Sequence, residues 1–406
     1  MVEKKAVYSA KTAWLAMIAG LAIYFTNSAA QYKVPPIMND LCAALNMSLL
    51  DAGWLMSIMS LLGLILAIPA GFIIMKLGTR NAVVLTAALQ LAGTVLGTFA
   101  TGFAVMMVSR ALEGAALGLV SVVSFQVVAS FFPAEKRGLP NGLVTVAYVV
   151  SYFMMMNIAV PLTQNGWQGL WWFINVLSVI CLILAFVCIP KKEDEPDFSD
   201  DGAEVVEGKI DHKKLWTSWP LYFIAICFVV FNIGYYGITT YMPTYLVDVV
   251  GADQAASNFA ISWNAIAGAP AAIVAGLLMN KLTLKNRKWV PALAMFALAV
   301  MYFFAFQMPN VATAAALLIV CGFVASLVPP SLYTIGPDII PRAVYAPMIL
   351  AIVTFGQNLG MTLGPLVVGY VYEAFGTWAS VSIPIGVLAA IGGAVMILVK
   401  TPESKK

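Results

Sequence analysis

Lys33 and Arg110 stand inside long apolar stretches, and Glu113 follows Arg110 by three residues. A cation placed in hydrocarbon costs about 2.5–3.5 kcal/mol on insertion scales, so such residues are seldom there for structure alone. Arg110 and Glu113 share one helical face at i, i+3 and can pair. The pair has two readings. It is a structural ion pair holding a helix to its neighbour, or it is an anion-binding guanidinium beside a carboxyl that takes up a proton when an anion arrives. Lys33 also has two readings: it faces a solute, or its long stem snorkels to the outer headgroups. Both cations fall at similar depth in the outer part of their stretches, where together they would attract an anion. The span interiors carry no acid besides Glu113, so charge favours an anionic solute over a cationic one. Metal and redox chemistry find no support. The five cysteines form no CxxC pair, and the single histidine, His212, lies in a charged loop. No cofactor, metal or catalytic set is expected, and an enzyme is not.

These residues must be positioned by a bilayer-embedded chain. Only 10% of the 406 residues are charged and 61% are hydrophobic, against roughly 25% charged in soluble domains. Apolar runs of about 20 residues, the length that crosses a bilayer as a helix, recur throughout. The predicted spans are 12–36, 50–75, 81–101, 103–130, 139–161, 167–189, 217–247, 255–280, 289–308, 312–336, 345–372 and 377–399. Of the 22 Lys and Arg residues, all but Lys33 and Arg110 fall in segments on one side, including Lys76, Arg80, Lys136, Arg137, Lys281, Lys285, Arg287, Lys288 and Arg342. The positive-inside rule makes that side, and both termini, cytoplasmic. The charged N-terminal tail runs straight into a span too long for a cleavable signal peptide. Residues 190–215 form the widest polar gap, acidic and poor in apolar residues, and read as a tether. The expected organisation is an N-terminal six-helix bundle at 1–190, a linker at 191–215 and a C-terminal six-helix bundle at 216–406.

The halves echo each other. GFIIMKLGTR (Gly71–Arg80) ends span 2 and GLLMNKLTLK (Gly276–Lys285) ends span 8; FFPAEKRG follows span 4 and IIPRAVYAP follows span 10. Duplication of this kind marks transporters that rock two bundles about a midplane site. On these residues the chain resembles the major facilitator superfamily over essentially its whole length. Gly71, Lys76, Gly78 and Arg80 match the loop signature after span 2, although Met75 stands where the family usually has Asp, and Asn280 stands at that place in the second copy. Arg110-Ala-Leu-Glu113-Gly114 matches the span-4 signature. The glycine-proline motif of drug–proton antiporters is not evident in span 5. A narrower resemblance, to the monocarboxylate-transporter branch, rests on Gln31-Tyr32-Lys33-Val34 and Gly53-Trp54-Leu55-Met56-Ser57-Ile58-Met59; that branch's Asp/Arg pair in span 8 is missing.

The resemblance implies an all-α integral membrane fold of twelve transmembrane helices in two pseudo-symmetric six-helix bundles, with spans 1, 4, 7 and 10 lining a cavity. The candidate lining is then Tyr24, Asn27 and Gln31, one stripe of span 1, with Lys33 and Arg110, and Tyr148, Tyr152, Asn232, Tyr236, Trp263, Asn264, Tyr333 and Gln357. Taken singly, each of the polar and aromatic residues reads equally as an interhelical hydrogen bond or an interface aromatic. Glu113 is the candidate proton carrier. Gly71, Gly78, Arg80, Gly360, Gly364 and Pro365 are candidate gating residues; static close packing is the alternative for the glycines. The expected function is secondary transport of a small organic anion, a carboxylate above all, coupled to protons. The second reading is proton-driven efflux of drugs or metabolites. Expected partners are the anion, protons and the lipid bilayer, with no nucleic acid; the chain is expected to act as a monomer in a plasma membrane, the bacterial inner membrane.

Overall fold

Helices apolar around their whole circumference cannot fold by hiding one face from water; in a bilayer they associate by close packing and interhelical hydrogen bonds. The computed structural model, which describes residues 10–132, 138–191, 216–340 and 346–400, has that form. Twelve helical segments are long and apolar enough to cross a membrane, and no strand occurs among the described residues. In the first half they are α1 (Ala10–Gln31), α3 (Leu49–Leu77), α4 (Thr79–Thr98), α5 (Phe103–Phe131), α6 (Gly138–Leu162) and α7 (Gln168–Cys188), with a short α2 (Met38–Leu45) between the first two. The second half's six spans are α8 (Trp219–Asp248), α9 (Gln254–Lys281), a short α10 (Leu284–Arg287) together with α11 (Trp289–Ala305), α12 (Val311–Ala325) together with α13 (Val328–Ile339), α14 (Ala346–Phe375) and α15 (Trp378–Leu398).

Two predicted spans are broken. The first was expected to run unbroken over 12–36, but α1 stops at Gln31, and a 3₁₀ turn at Pro35–Ile37 follows. Pro35 and Pro36 lack the amide hydrogens that would continue the ladder, and Pro35 disfavours helical geometry at Val34. The tenth was expected as one helix over 312–336. It divides into α12 and α13 at Ser326–Leu327, with Pro329 and Pro330 in the first turn of α13, where a missing N–H costs nothing. Because α13 runs to Ile339, Asp338 belongs to its last turn rather than to a loop.

The chain divides into two compact units. One holds Met1–Ser48 and Ile58–Glu204; the other holds Leu49–Ser57 and Val205–Lys406. The first turns of α3 therefore group with the second unit, a division that differs from the simple break at the linker. Linker residues 192–215 and the basic residues Lys136, Arg137 and Arg342 lie outside the described residues. The first unit's apolar core gathers Met17, Ile23, Val120, Val127 and Val128 from α1 and α5 with Val83 and Cys181 from α4 and α7. The same unit also holds a buried polar cluster.

Candidate functional site

The end of α1 leaves backbone carbonyls without intrahelical partners. Arg110, on α5, fills that need: its Nη1 donates to the Ala30 carbonyl at 2.7 Å and its Nη2 to the Gln31 carbonyl at 3.3 Å. The same Nη1 lies 2.7 Å from Glu113 Oε2. Lys33, in the unwound stretch just past α1, reaches the other carboxylate oxygen, Oε1, and pairs with it. The three side chains, Lys33, Glu113 and Arg110, are each 0% exposed. Two cations and one carboxylate leave the cluster with one positive charge in excess. The partial negative charge at the end of α1 faces Arg110, and the Trp171 ring of α7 lies 4.3 Å from Lys33 Nζ, a cation–π contact. The indole can come this close to α4 because position 97 is glycine: a Cβ there would run into Trp171 and Ser109.

A chain of hydrogen bonds leads away from Glu113 across α4. Thr94 Oγ1 donates to Glu113 Oε1 at 2.9 Å. Gln90 Nε2 donates to Thr94 Oγ1 at 3.0 Å. Asn27 Nδ2, on α1, donates to Gln90 Oε1 at 2.6 Å. The cluster thus joins α1, α4, α5 and α7 of one unit.

The structure brings Lys33, Arg110 and Glu113 into one contact set and treats the remaining candidates differently. Asn27 is fully buried and serves as a tie between α1 and α4. The side chain of Gln31 is buried, and its backbone carbonyl is what engages Arg110. Tyr24 is half-buried and packs edge-on against Phe125, 6.5 Å between ring centres. Tyr148 and Tyr152 surround Tyr32, the residue next to Lys33. The Tyr32 and Tyr148 hydroxyls bond to each other, and the Tyr32 and Tyr152 rings meet edge-on at 4.6 Å.

In the second unit Asn264 spends both ends of its amide on neighbouring helices, donating to the Leu318 carbonyl at 3.1 Å and accepting from the Tyr235 hydroxyl at 2.8 Å. Asn232 bonds back to the Phe228 carbonyl on its own helix and packs against Gly360. Tyr236 is buried beside Tyr235. Trp263 is 37% exposed and shares its face of α9 with Phe259. Tyr333 donates to Gln357 Oε1 at 2.5 Å and lies 3.2 Å from Thr354, a half-buried polar cluster capped by the Phe228 ring.

Among the gating candidates, Gly360 and Gly364 lie where α14 meets the α8 backbone. A Cβ on Gly364 would stand 2.9 Å from the Ile233 carbonyl oxygen. Pro365 lies inside a continuous α14. Gly78 has φ 78°, the left-handed region that lets α3 turn sharply into α4. Arg80 donates to the Phe186 carbonyl at 3.0 Å and lies over that residue's ring, so it holds α7 to α4. Gly71 belongs to α3, and its surroundings lie outside the described residues.

Four participants escaped the sequence reading. Gln90, Thr94 and Trp171 complete the cluster, and Asp338 binds Arg287 at 2.7 Å. Gln90 and Thr94 did leave a trace: with Thr86 and Thr98 they form a polar stripe at four-residue spacing on an otherwise apolar span.

Comparison with known proteins supplies the family. The family profile described as Major Facilitator Superfamily matches residues 16–349. The MFS-type transporter YwfA of Bacillus subtilis (strain 168) is 24% identical over 379 residues, covering 91% of this chain and 88% of that protein. The MFS-type transporter YcnB of the same organism is 31% identical over 161 residues, 38% of this chain and 32% of its own length. This chain therefore spans about a third of YcnB. A putative proline/betaine transporter of Staphylococcus haemolyticus (strain JCSC1435) is 26% identical over 190 residues, 44% of this chain and 40% of that protein. Among solved structures, a bacterial homolog of the human lysosomal transporter Spinster, crystallised inward-facing and unoccupied, superposes with a TM-score of 0.80 at 14% identity, covering 97% of this chain and 98% of that one.

Proposed function

The chain belongs to the major facilitator superfamily, and from that premise we propose that it is a secondary carrier of a small organic anion, of carboxylate type, that moves its substrate together with a proton by alternating access. The observation that carries this reading is the charge of the buried cluster. Lys33 and Arg110 share a single carboxylate, so the empty site holds +1. Changing the charge of a buried site is costly unless it is compensated. A monoanion arriving alone would take the site to zero, and a proton alone on Glu113 would take it to +2. A monoanion and a proton together leave it at +1. Joint loading is thus the transition that preserves the electrostatics for which the site is built.

In this mechanism the anion draws Lys33 away from Glu113, and the carboxyl so exposed takes the proton. Arg110 stays bonded to the end of α1 and holds the site's shape. Tyr32, Tyr148 and Tyr152 flank the stretch that carries Lys33 and supply hydroxyls for a small polar solute. Gly71, Gly78, Arg80, Gly360, Gly364 and Pro365 serve the conformational change. The two bundles are residues 1–190 and 216–406, joined by the linker at 191–215. The protein works as a monomer in a plasma membrane with both termini cytoplasmic, an orientation supported by the one-sided distribution of Lys and Arg.

The test is a thermal-shift screen of the detergent-purified protein against small mono- and dicarboxylates, sugar acids and lipophilic cations, at acidic and neutral pH. A ligand at one hundred times its Kd adds about 2.7 kcal/mol of stability. The expected result is a carboxylate hit, stronger at acidic pH, that is lost in Lys33→Gln, a variant that keeps the Arg110–Glu113 pair. Stabilisation by lipophilic cations alone, indifferent to that substitution, would overturn the anion reading in favour of efflux.

A further inference from the structure

Thr94 belongs to no signature, yet its hydroxyl has an unusual position. It is fully buried, and its Oγ1 lies 2.9 Å from Glu113 Oε1 and 2.8 Å from the Gln90 carbonyl one turn back on α4. Both are acceptors, and a hydroxyl has one hydrogen to give. It can therefore satisfy only one of them at a time. The same oxygen accepts from Gln90 Nε2 at 3.0 Å, and Gln90 is held in that sense because its Oε1 accepts from Asn27. One lone pair of Thr94 is thus occupied and one remains.

The two states of Glu113 match the two settings of this hydroxyl. With the carboxylate ionised, the charge-assisted bond to Oε1 is the stronger, and the hydrogen points to Glu113. With a proton on Oε1, the carboxyl becomes a donor; it gives its hydrogen to the remaining lone pair of Thr94, whose own hydrogen swings to the Gln90 carbonyl. On this side of the cluster Glu113, Thr94 and Gln90 each keep a partner, and none of their heavy atoms has to move once Lys33 has left Oε1. The charged groups facing Glu113 are Lys33, beyond α1, and Arg110, on α5 itself. From α4 it meets Thr94, and α7 contributes the Trp171 ring against Lys33.

We propose that Thr94 is a positioning residue for proton uptake, a hydroxyl switch that gives both protonation states of Glu113 a satisfied partner in a buried site. The proposal rests on the reading of Glu113 as the proton carrier, and its test separates the two. The carbonyl stretch of a buried protonated carboxyl is followed by infrared spectroscopy as pH is lowered, with every variant made in the Lys33→Gln background, where the Lys33 partner of Glu113 is gone as it is when the anion draws that lysine away. The band is assigned to Glu113 by its loss in Glu113→Gln or, should that variant fail to fold, by its displacement in Glu113→Asp.

In Thr94→Val the ionised form loses its hydroxyl donor while shape is kept. The midpoint should then move to more alkaline pH by roughly half to one unit, and the band should move to the frequency of a carboxyl with a weaker hydrogen bond. Thr94→Ser should restore both. A Glu113 band unchanged in Thr94→Val overturns the role of Thr94 and leaves Glu113 as the proton carrier. A Thr94→Ser protein that behaves like the valine variant also overturns it, because a retained hydroxyl then fails to preserve the behaviour. If no titrating band depends on Glu113, the proton-carrier reading itself falls, and the switch falls with it.

Discussion

Removing Glu113 and removing Lys33 delete opposite halves of one ion pair, yet they should not cost the same. Glu113→Gln leaves Lys33 and Arg110 buried together with no carboxylate, and breaking a buried pair in this way costs about 3–5 kcal/mol. Lys33→Gln leaves the Arg110–Glu113 pair, a neutral set still bonded to the Ala30 and Gln31 carbonyls, and should cost distinctly less. The double variant Lys33→Gln/Glu113→Gln returns the site to a single cation held by the end of α1. It should therefore be more stable than Glu113→Gln alone, with a coupling of about 1–3 kcal/mol in the cycle, read from thermal unfolding in detergent. A double variant less stable than either single one would show that the net charge is not what the site is built around. The Arg110–Glu113 half of this set was legible in the sequence, because i, i+3 spacing on a helix is a local property. The addition of Lys33 was not. It depends on α1 stopping at Gln31, which lets Lys33 turn inward, and on the glycine at 97, which admits Trp171 beneath the ammonium group.

At the scale of elements, the spacing of small residues announced a close helix contact but not its partner. Gly356, Gly360 and Gly364 recur every fourth residue of α14, and each meets the backbone of α8 in turn, near Ala225, Val229 and Ile233. A methyl at Gly360 would collide with the Val229 carbonyl and stand 2.7 Å from Asn232 Cβ. Backbone cannot swing aside as a side chain can, so Gly360→Ala should destabilise by about 1–3 kcal/mol, the usual cost of overpacking. Gly276, in α9, has nothing within 4 Å of where a Cβ would stand, and Gly276→Ala should be neutral or gain up to about 1 kcal/mol from helix propensity. Comparing the two unfolding midpoints distinguishes tight packing from a general intolerance of alanine in these helices. Helix positions were readable throughout, since a span's length and apolarity are set by the bilayer. The interruptions were harder to read: 312–336 was expected as one span, but Pro329 and Pro330 sit in the first turn of α13 and leave Ser326 and Leu327 to close α12.

For the whole molecule, repeated sequence around a polar gap raised the expectation of two halves, whereas nothing in it pointed to the grouping of the first turns of α3 with the second unit. Leu49–Ser57 packs within the second unit, and the rest of α3 packs within the first. No periodicity in the sequence could announce this, because it rests on a few contacts distant along the chain. The Tyr241 hydroxyl donates to the Leu49 carbonyl at 2.8 Å. Gly53 admits that hydroxyl and the Pro365 carbonyl, and Gly369 lies against Leu50 and Tyr241. Tyr241→Phe deletes one hydrogen bond, worth about 0.5–1.5 kcal/mol, and keeps the ring against Trp378. Amide hydrogen exchange over Leu49–Ser57 should speed up about two- to tenfold, the rate change that such a loss implies for local opening. Tyr245→Phe is the control: its hydroxyl bonds to the Met308 carbonyl at 2.9 Å, and its loss should leave Leu49–Ser57 unchanged. Equal acceleration in both variants would mean that the second unit loosens as a whole, whereas acceleration confined to Tyr241→Phe would identify a single hydroxyl as the tether of the first turns of α3.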